Sequence, residues 1–103
     1  MSGMVEENEK KVRLRTPRND QVLGKVIELL GADRLRVECV DGKERIVRIP
    51  GRLKKRIWVR RDDIIIVEPW DIEGDKKGDM VWRYTKNKIG LLKKKGYLNN
   101  IKV

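Results

Sequence analysis

Apolar residues recur along this chain with a period of two over most of its length and with a helical period only near the end. Residues 34–40 alternate cleanly: Leu35, Val37 and Cys39 fall on one face and Arg36 and Glu38 on the other, as in a half-buried strand. Upstream, residues 21–30 carry Val22, Val26, Ile27 and Leu29, so a strand is predicted there too, with Gly24 marking a bend or bulge inside it. Gly31-Ala32-Asp33 reads as a turn. Asp41-Gly42 predicts a two-residue hairpin, because both central positions of a type I′ turn need positive φ, and residues 43–49 form the return strand.

Pro50-Gly51 stops that strand, and a basic connection follows. Asp62-Asp63 opens a fourth strand, whose unbroken run Ile64-Ile65-Ile66-Val67 predicts burial on both faces. Residues 68–79 read as a polar loop around Pro69, Gly74 and Gly78. Residues 80–84 form a fifth strand, with Trp82 expected to face inward beside Met80. The period then lengthens. Thr85 is placed to cap a helix from residue 86 to about 95, with Ile89 and Leu92 on its buried face and Gly96 as its stop.

Five short strands, the first of them bent, predict an all-β chain: a five-stranded OB-fold Greek-key barrel with a short C-terminal helix and flexible tails. An SH3-like barrel is the rival, since strand count and spacing do not separate the two. The expected division is a flexible N-terminal tail over 1–19, the barrel over 20–85, a helix packed on the barrel over 86–98, and a short tail over 99–103. A chain of 103 residues holds one such domain.

Charge changes this picture. Lys and Arg number 26 against 16 Asp and Glu, a formal net charge of +10. Excess cations gain affinity for polyanions by releasing condensed counterions, which makes nucleic acid the natural partner. Solubility alone would intersperse the signs. Here they cluster: residues 43–61 contain Lys43, Arg45, Arg48, Arg52, Lys54, Lys55, Arg56, Arg60 and Arg61 against the single acid Glu44. Six of these side chains on phosphates would give a slope of log affinity against log salt of roughly −5. The N-terminal tail also turns basic as it nears the domain, so Arg13, Arg15 and Arg18 are candidate tail contacts.

Aromatic residues refine the kind of nucleic acid. There is no Phe, and Trp58, between Arg56 and Arg60, is the best-placed ring for base stacking, with a core or lid role as its alternative. One stacking ring among many cations suits folded RNA, read by shape and phosphates. Catalysis and metal chemistry find little footing. Cys39 is the only cysteine and there is no histidine, so neither a cysteine-based zinc site nor a thiol–imidazole pair is available, and Cys39 is expected in the core. Asp62 and Asp63 are strand neighbours on opposite faces, expected to offset Arg60 and Arg61. No catalytic residue, metal site or cofactor is expected. No apolar run approaches the roughly 18 residues of a membrane span and the N-terminus lacks a signal pattern, so the expected setting is cytoplasmic.

The ordered features then become specific. Gly24-Lys25-Val26-Ile27-Glu28 followed by Arg34-Leu35-Arg36-Val37-Glu38-Cys39 resembles the opening strands of translation initiation factor 1A. The segment Ile49-Pro50-Gly51-Arg52-Leu53-Lys54-Lys55-Arg56-Ile57-Trp58-Val59 resembles that family's basic loop ending in Val-Trp-Ile, and Asp63-Ile64-Ile65-Ile66-Val67 and Tyr84 match in place and order. The similarity spans about residues 18–98, and the Pro69-Trp70-Asp71 loop looks like the archaeal branch.

The resemblance implies an OB-fold factor seated in the aminoacyl-tRNA site of the small ribosomal subunit, contacting ribosomal RNA and helping direct initiator tRNA to the neighbouring site. Other initiation factors, including the subunit-joining GTPase, are implied as partners, initiator tRNA only indirectly, and a monomer is expected. By position, Arg52, Lys54, Lys55, Arg56 and Trp58 match the family's RNA-contacting loop, with Lys43, Arg45, Arg48, Arg60, Arg61 and Arg83 as flanking contacts. Eukaryotic members end in a long acidic tail used in scanning; this sequence ends Leu98-Asn99-Asn100-Ile101-Lys102-Val103, so a scanning role is not expected. The reading from residues alone keeps two alternatives: a general RNA-binding or RNA-chaperone module, and a protein–protein adaptor.

Overall fold

The computed structural model describes residues 14–54 and 58–101. Five strands close into a barrel: β1 (Val22–Gly31), β2 (Arg34–Cys39), β3 (Glu44–Arg48), β4 (Ile64–Pro69) and β5 (Lys77–Arg83), in the ring order β1-β2-β3-β5-β4. All pairings are antiparallel except β3 with β5. This is the five-stranded OB plan.

Closure depends on β1. Its first half pairs with β4 through Val22↔Val67 to Lys25↔Ile64, while Gly24 onward pairs with β2. One strand therefore serves two neighbours and must curl. Gly24 sits at the overlap, where a Cβ would collide with Val37 on β2, so glycine here answers a close backbone approach. The bulges expected at Gly24 fall further along, between Val26 and Glu28 and between Leu29 and Gly31.

The turns also differ in detail from expectation. Ala32 and Asp33 both have positive φ (50° and 59°) between the paired residues Gly31 and Arg34, so the two-residue primed turn lies here. At the β2–β3 hairpin only Gly42 has positive φ (85°); Gly42 N–H donates to the Cys39 carbonyl and Cys39 N–H to the Lys43 carbonyl. That hairpin thus turns over three residues with glycine in the left-handed position, not over two. The polar loop is shorter than predicted, because Glu68↔Asp79 and Pro69↔Gly78 extend the β4–β5 ladder and leave 70–76 as loop.

The interior holds Val26, Leu35, Val37, Cys39, Val47, Ile65, Val67 and Met80, with Leu53 and Val59 packed against it. Cys39 is buried as predicted, and burial pushes its thiol pKa up. All four residues of Ile64-Ile65-Ile66-Val67 are fully buried because β4 has a covered face on each side. Ile65 and Val67 point into the barrel, while Ile64 and Ile66 join Leu23, Tyr84, Leu92 and Leu98 in a second cluster outside it.

That outer cluster lies under a helix, α2 (Lys86–Lys94), which follows a one-turn helix, α1 (Gly51–Lys54). Thr85 is the N-cap of α2 without a side-chain cap hydrogen bond. Its C-terminus is closed by Gly96 at φ 85°, with Gly96 N–H donating to Lys93 and Tyr97 N–H to Leu92, a Schellman arrangement. The ends of the described chain also rest on the barrel. Leu14 packs on the outer cluster, the Tyr84 hydroxyl donates to the Arg15 carbonyl, and Asn100 Nδ2 donates to the Val40 carbonyl at 3.0 Å.

Candidate nucleic-acid interface

In a barrel strand, successive side chains alternate between interior and surface, and this alternation sorts the cations of β2 and β3. The paired rows Arg34↔Arg48 and Arg36↔Ile46 point outward, and Leu35↔Val47 points inward. Parallel pairing with β5 then sets Lys77 beside Ile46 and Asp79 beside Arg48. Trp70, at the start of the β4–β5 loop, lies over this wall. Its Nε1 donates to Asp79 at 3.0 Å, and its ring is faced by Arg48 at 5.8 Å and Lys77 at 5.6 Å.

Two openings join on this wall. A cleft of about 80 Å³ is lined by Arg34, Ile46, Arg48, Trp70 and Lys77. A groove of about 370 Å³ adjoins it, sharing Arg34 and Arg48 and running past Asp33 to Gly51 and Lys54 of α1. On the far side of Arg36, a third opening holds Ile27, Leu29 and Arg61. The surface of strands 2 and 3 with the loops between strands 1–2 and 4–5 is where OB barrels take oligonucleotides, and the cations here occupy that surface.

Several of these cations are held by acids. Arg48 donates twice to Asp79 (3.2 and 3.1 Å), Lys54 pairs with Asp33 at 2.7 Å, Lys43 with Asp75 at 2.7 Å, and Arg36 bridges Glu28 and Glu44. All are solvent-accessible pairs, weakened by water and salt, so a phosphate competes for these cations at small cost. Asp75 is held below the usual carboxylate range by its hydrogen bond from Lys43. Among the described residues, Arg34, Arg52, Arg60 and Arg61 have no acid side-chain partner.

The predicted residues therefore divide. Arg48 and Lys54 come together with Arg34 in one groove; Arg61 joins Arg36; Arg52 stands exposed on α1. Trp58 is 79% exposed, which removes the core alternative for its ring. Lys43 sits at the hairpin end, tied to the β4–β5 loop. Lys55, Arg56 and Arg13 lie outside the described residues.

Arg45 is the clear departure from the sequence reading. It shares the inward face with Val47, is 3% exposed, and gives both terminal nitrogens to Asp41 (3.1 and 2.9 Å) and Nε to the Gly74 carbonyl (2.6 Å). Burial opposes the Asp41 charge, but the hydrogen bonds and field of Arg45 outweigh it and hold the carboxyl below its usual range. Arg45 pins the β2–β3 turn to the β4–β5 loop and is not offered to a ligand. Gly74 is needed in that loop, because a Cβ would strike the Trp70 carbonyl.

Other placements also differ from expectation. Asp62 and Asp63 do not pair with the Arg60 and Arg61 side chains. Asp62 pairs with Lys25 (3.5 Å), while Asp63 accepts from the Arg60 backbone N–H (2.8 Å) and approaches Arg83 (3.8 Å). Trp82 faces outward because a bulge at Val81, between the pairs Ile66↔Trp82 and Val67↔Met80, breaks the alternation. Its ring is covered by Arg15 at 4.6 Å, which uses that candidate tail contact internally; Arg18 is exposed. Sequence reasoning misses Arg34, Arg36, Lys77 and Trp70 as parts of the wall. Arg34 and Arg36 alternate with Leu35 and are readable, whereas Lys77 and Trp70 depend on the β4–β5 ladder.

Comparison with known proteins agrees with this geometry. The family described as translation initiation factor 1A / IF-1 matches residues 9–102. Translation initiation factor 1A of Methanococcus maripaludis (strain C7) is 50% identical over 101 residues, covering 96% of this chain and 97% of that one. The Haloarcula marismortui factor of the same name is 46% identical over 92 residues, 89% of this chain and 96% of its own. The solution structure of the translation initiation factor IF-1 from the Wolbachia endosymbiont of Brugia malayi is similar with a TM-score of 0.51 and 28% identity, over 64% of this chain and 78% of that one. With nearly the whole chain matched and archaeal relatives at half identity, the chain belongs to the translation initiation factor 1A / IF-1 family.

Proposed function

We propose that this chain binds the aminoacyl-tRNA site of the small ribosomal subunit as a monomer, through the phosphates of ribosomal RNA, and so helps place initiator tRNA in the neighbouring peptidyl site. It would do so with other initiation factors, including the GTPase that promotes subunit joining. The observation that carries the reading is the outward wall of Arg34, Arg36, Arg48 and Lys54 on β2, β3 and α1; Trp58, later in the same basic segment, is exposed. Lys55 and Arg56 extend the wall's charge in sequence.

The division of labour follows from the geometry. Arg34, Arg52 and Arg61, free of acids, supply the attractive field. Arg48 and Lys54 exchange exposed carboxylates for phosphate oxygens. Trp58, on a short stretch between basic residues, offers a π-face to an unstacked base. The Arg45 pin fixes the loop that carries Trp70, so the wall is formed before RNA arrives and less ordering accompanies binding.

Chemical footprinting on purified small subunits tests this. Protection of ribosomal RNA in the aminoacyl site is expected, and its loss when Lys54, Lys55 and Arg56 are together reversed to Glu. Protection that survives the reversal would contradict the assignment. The exposure of Trp58 also fits a general single-strand binder; equal affinity for unstructured RNA and for subunits would favour that second reading.

A further inference from the structure

Among the described residues, one buried side-chain nitrogen or oxygen lacks a hydrogen-bond partner: Nε of Arg83, at the end of β5. A donor that gives up water without finding an acceptor is costly, so its surroundings need an account. The acid that pairs with Arg83 is Asp63, whose Oδ2 stands 3.8 Å from Nη1. That is close enough for attraction and too far for a hydrogen bond. The same oxygen accepts the Arg60 backbone N–H at 2.8 Å. One carboxylate oxygen thus faces two donors and serves one of them.

The neglected donor has the stronger need. Arg60 is exposed, and water replaces an acceptor that its amide loses. Nε of Arg83 has no such recourse. If the Asp63 carboxylate turned to Arg83, it would meet a planar fork and satisfy Nε, at the cost of the Arg60 bond. The two arrangements exchange one charge-assisted hydrogen bond for another, so they lie close in free energy.

The backbone is jointed to match. Asp62 N–H donates to the Val26 carbonyl at 2.7 Å and Val26 N–H to the Asp63 carbonyl at 2.9 Å, which fixes both aspartates to β1. Val59 packs on the barrel interior. Between these anchors lie Arg60 and Arg61, joined to Asp63 by a longer bond from its N–H to the Arg60 carbonyl, 3.2 Å. The joint itself is Asp62, at φ 72°, a conformation disfavoured for a residue with a Cβ. With the Arg60 amide bonded, Arg61 lines one opening together with Arg36.

We infer that Asp63 is a positioning residue for RNA binding and that Arg83 competes for it. Bonded to the Arg60 amide, the carboxylate holds Arg61 beside Arg36 on the wall; taken by the Arg83 fork, it releases the turn. RNA on Arg36 and Arg61 selects the first arrangement, so binding and this exchange are linked. The link to RNA rests on the proposed function, whereas the exchange itself does not. Arg83, a flanking contact in the sequence reading, then acts on the turn and touches no phosphate.

The test reads the Arg60 amide proton of the full chain by NMR, since a bond to a carboxylate moves it downfield. Arg83→Met abolishes the competitor and sets the bonded limit; Asp63→Ala abolishes the acceptor and sets the free limit. The unmodified chain should lie between the limits, show two peaks, or broaden, according to the exchange rate. Arg83→Lys keeps the charge but lacks the buried Nε–H, and should shift the resonance as Arg83→Met does. Neither Arg83 variant should melt lower, because an unpaired buried donor is removed.

Adding a short RNA duplex should carry the unmodified resonance towards that of Arg83→Met. Arg83→Met should bind the duplex more tightly, by up to about threefold, the factor by which the bonded fraction rises. An unmodified amide that coincides with that of Arg83→Met would overturn the inference, and this comparison does not need Asp63→Ala to fold. A shift produced by Arg83→Met and not by Arg83→Lys would be a plain charge effect and would overturn it too. So would weaker duplex binding by Arg83→Met, the sign that a direct phosphate contact gives. Tighter duplex binding without footprints on the subunit would count against the proposed function alone.

Discussion

Arg45 and Arg48 lie three residues apart on β3, each gripped by both oxygens of an aspartate, yet they serve opposite ends. Arg45 points into the closed side of the barrel and is itself buried, with partly exposed Asp41 and the Gly74 carbonyl taking its donors. Arg48 points outward onto Asp79 beneath the Trp70 ring, with more than half its side chain accessible. An ion pair in itself does not say whether a cation is structural or available. Burial decides, because a buried charge that loses its partner must bear the desolvation cost, whereas an exposed one is rehydrated.

Removing the two aspartates separates these cases. Asp41→Ala leaves the Arg45 guanidinium buried and uncompensated, and a loss of about 3–5 kcal/mol is expected, read from the denaturant midpoint at unchanged slope. Asp79→Ala should cost less than about 1 kcal/mol and leave RNA binding as strong or stronger. Equal losses would erase the distinction.

The same contrast holds for rings. Tyr84 is buried, its phenol pKa pushed up to about 12 by desolvation. Because the folded value exceeds the unfolded value of about 10, the stabilisation is full below pH 10 and is lost as pH rises to about 12. Alkaline titration of stability should therefore show a fall on the order of 2 kcal/mol over that window, absent in Tyr84→Phe. Trp58 is outward: Trp58→Ala should leave the melting temperature unchanged while weakening subunit binding by about 1–3 kcal/mol. A smaller effect is expected in acid. Asp41 has a depressed folded pKa, so its contribution is present above about pH 4 and declines as pH falls through the folded value, with loosening of loop 70–76 visible by hydrogen exchange.

Much of this is legible in the sequence wherever the period of two is unbroken. Alternation alone places Leu35, Val37 and Cys39 inside, and the apolar run at 64–67 tells of two covered faces. Periodicity misplaces Trp82, because a bulge at Val81 adds a residue that it cannot register. Arg45 escapes for a different reason: charge density counted along residues 43–61 does not ask which face each cation takes, although Arg45 alternates with Val47. Lys77 and Trp70 cannot be placed from sequence, since their position depends on the parallel β3–β5 closure and on a ladder running through Pro69.

The most direct measurement is a salt series of binding to purified small subunits, comparing the unmodified chain with Arg34→Gln/Arg36→Gln/Arg48→Gln. A slope of log affinity against log salt of roughly −5 is expected for the first, shallower by about three for the second, with little change in folding stability. Identical slopes for the two chains would mean that RNA does not lie on the β2–β3 wall.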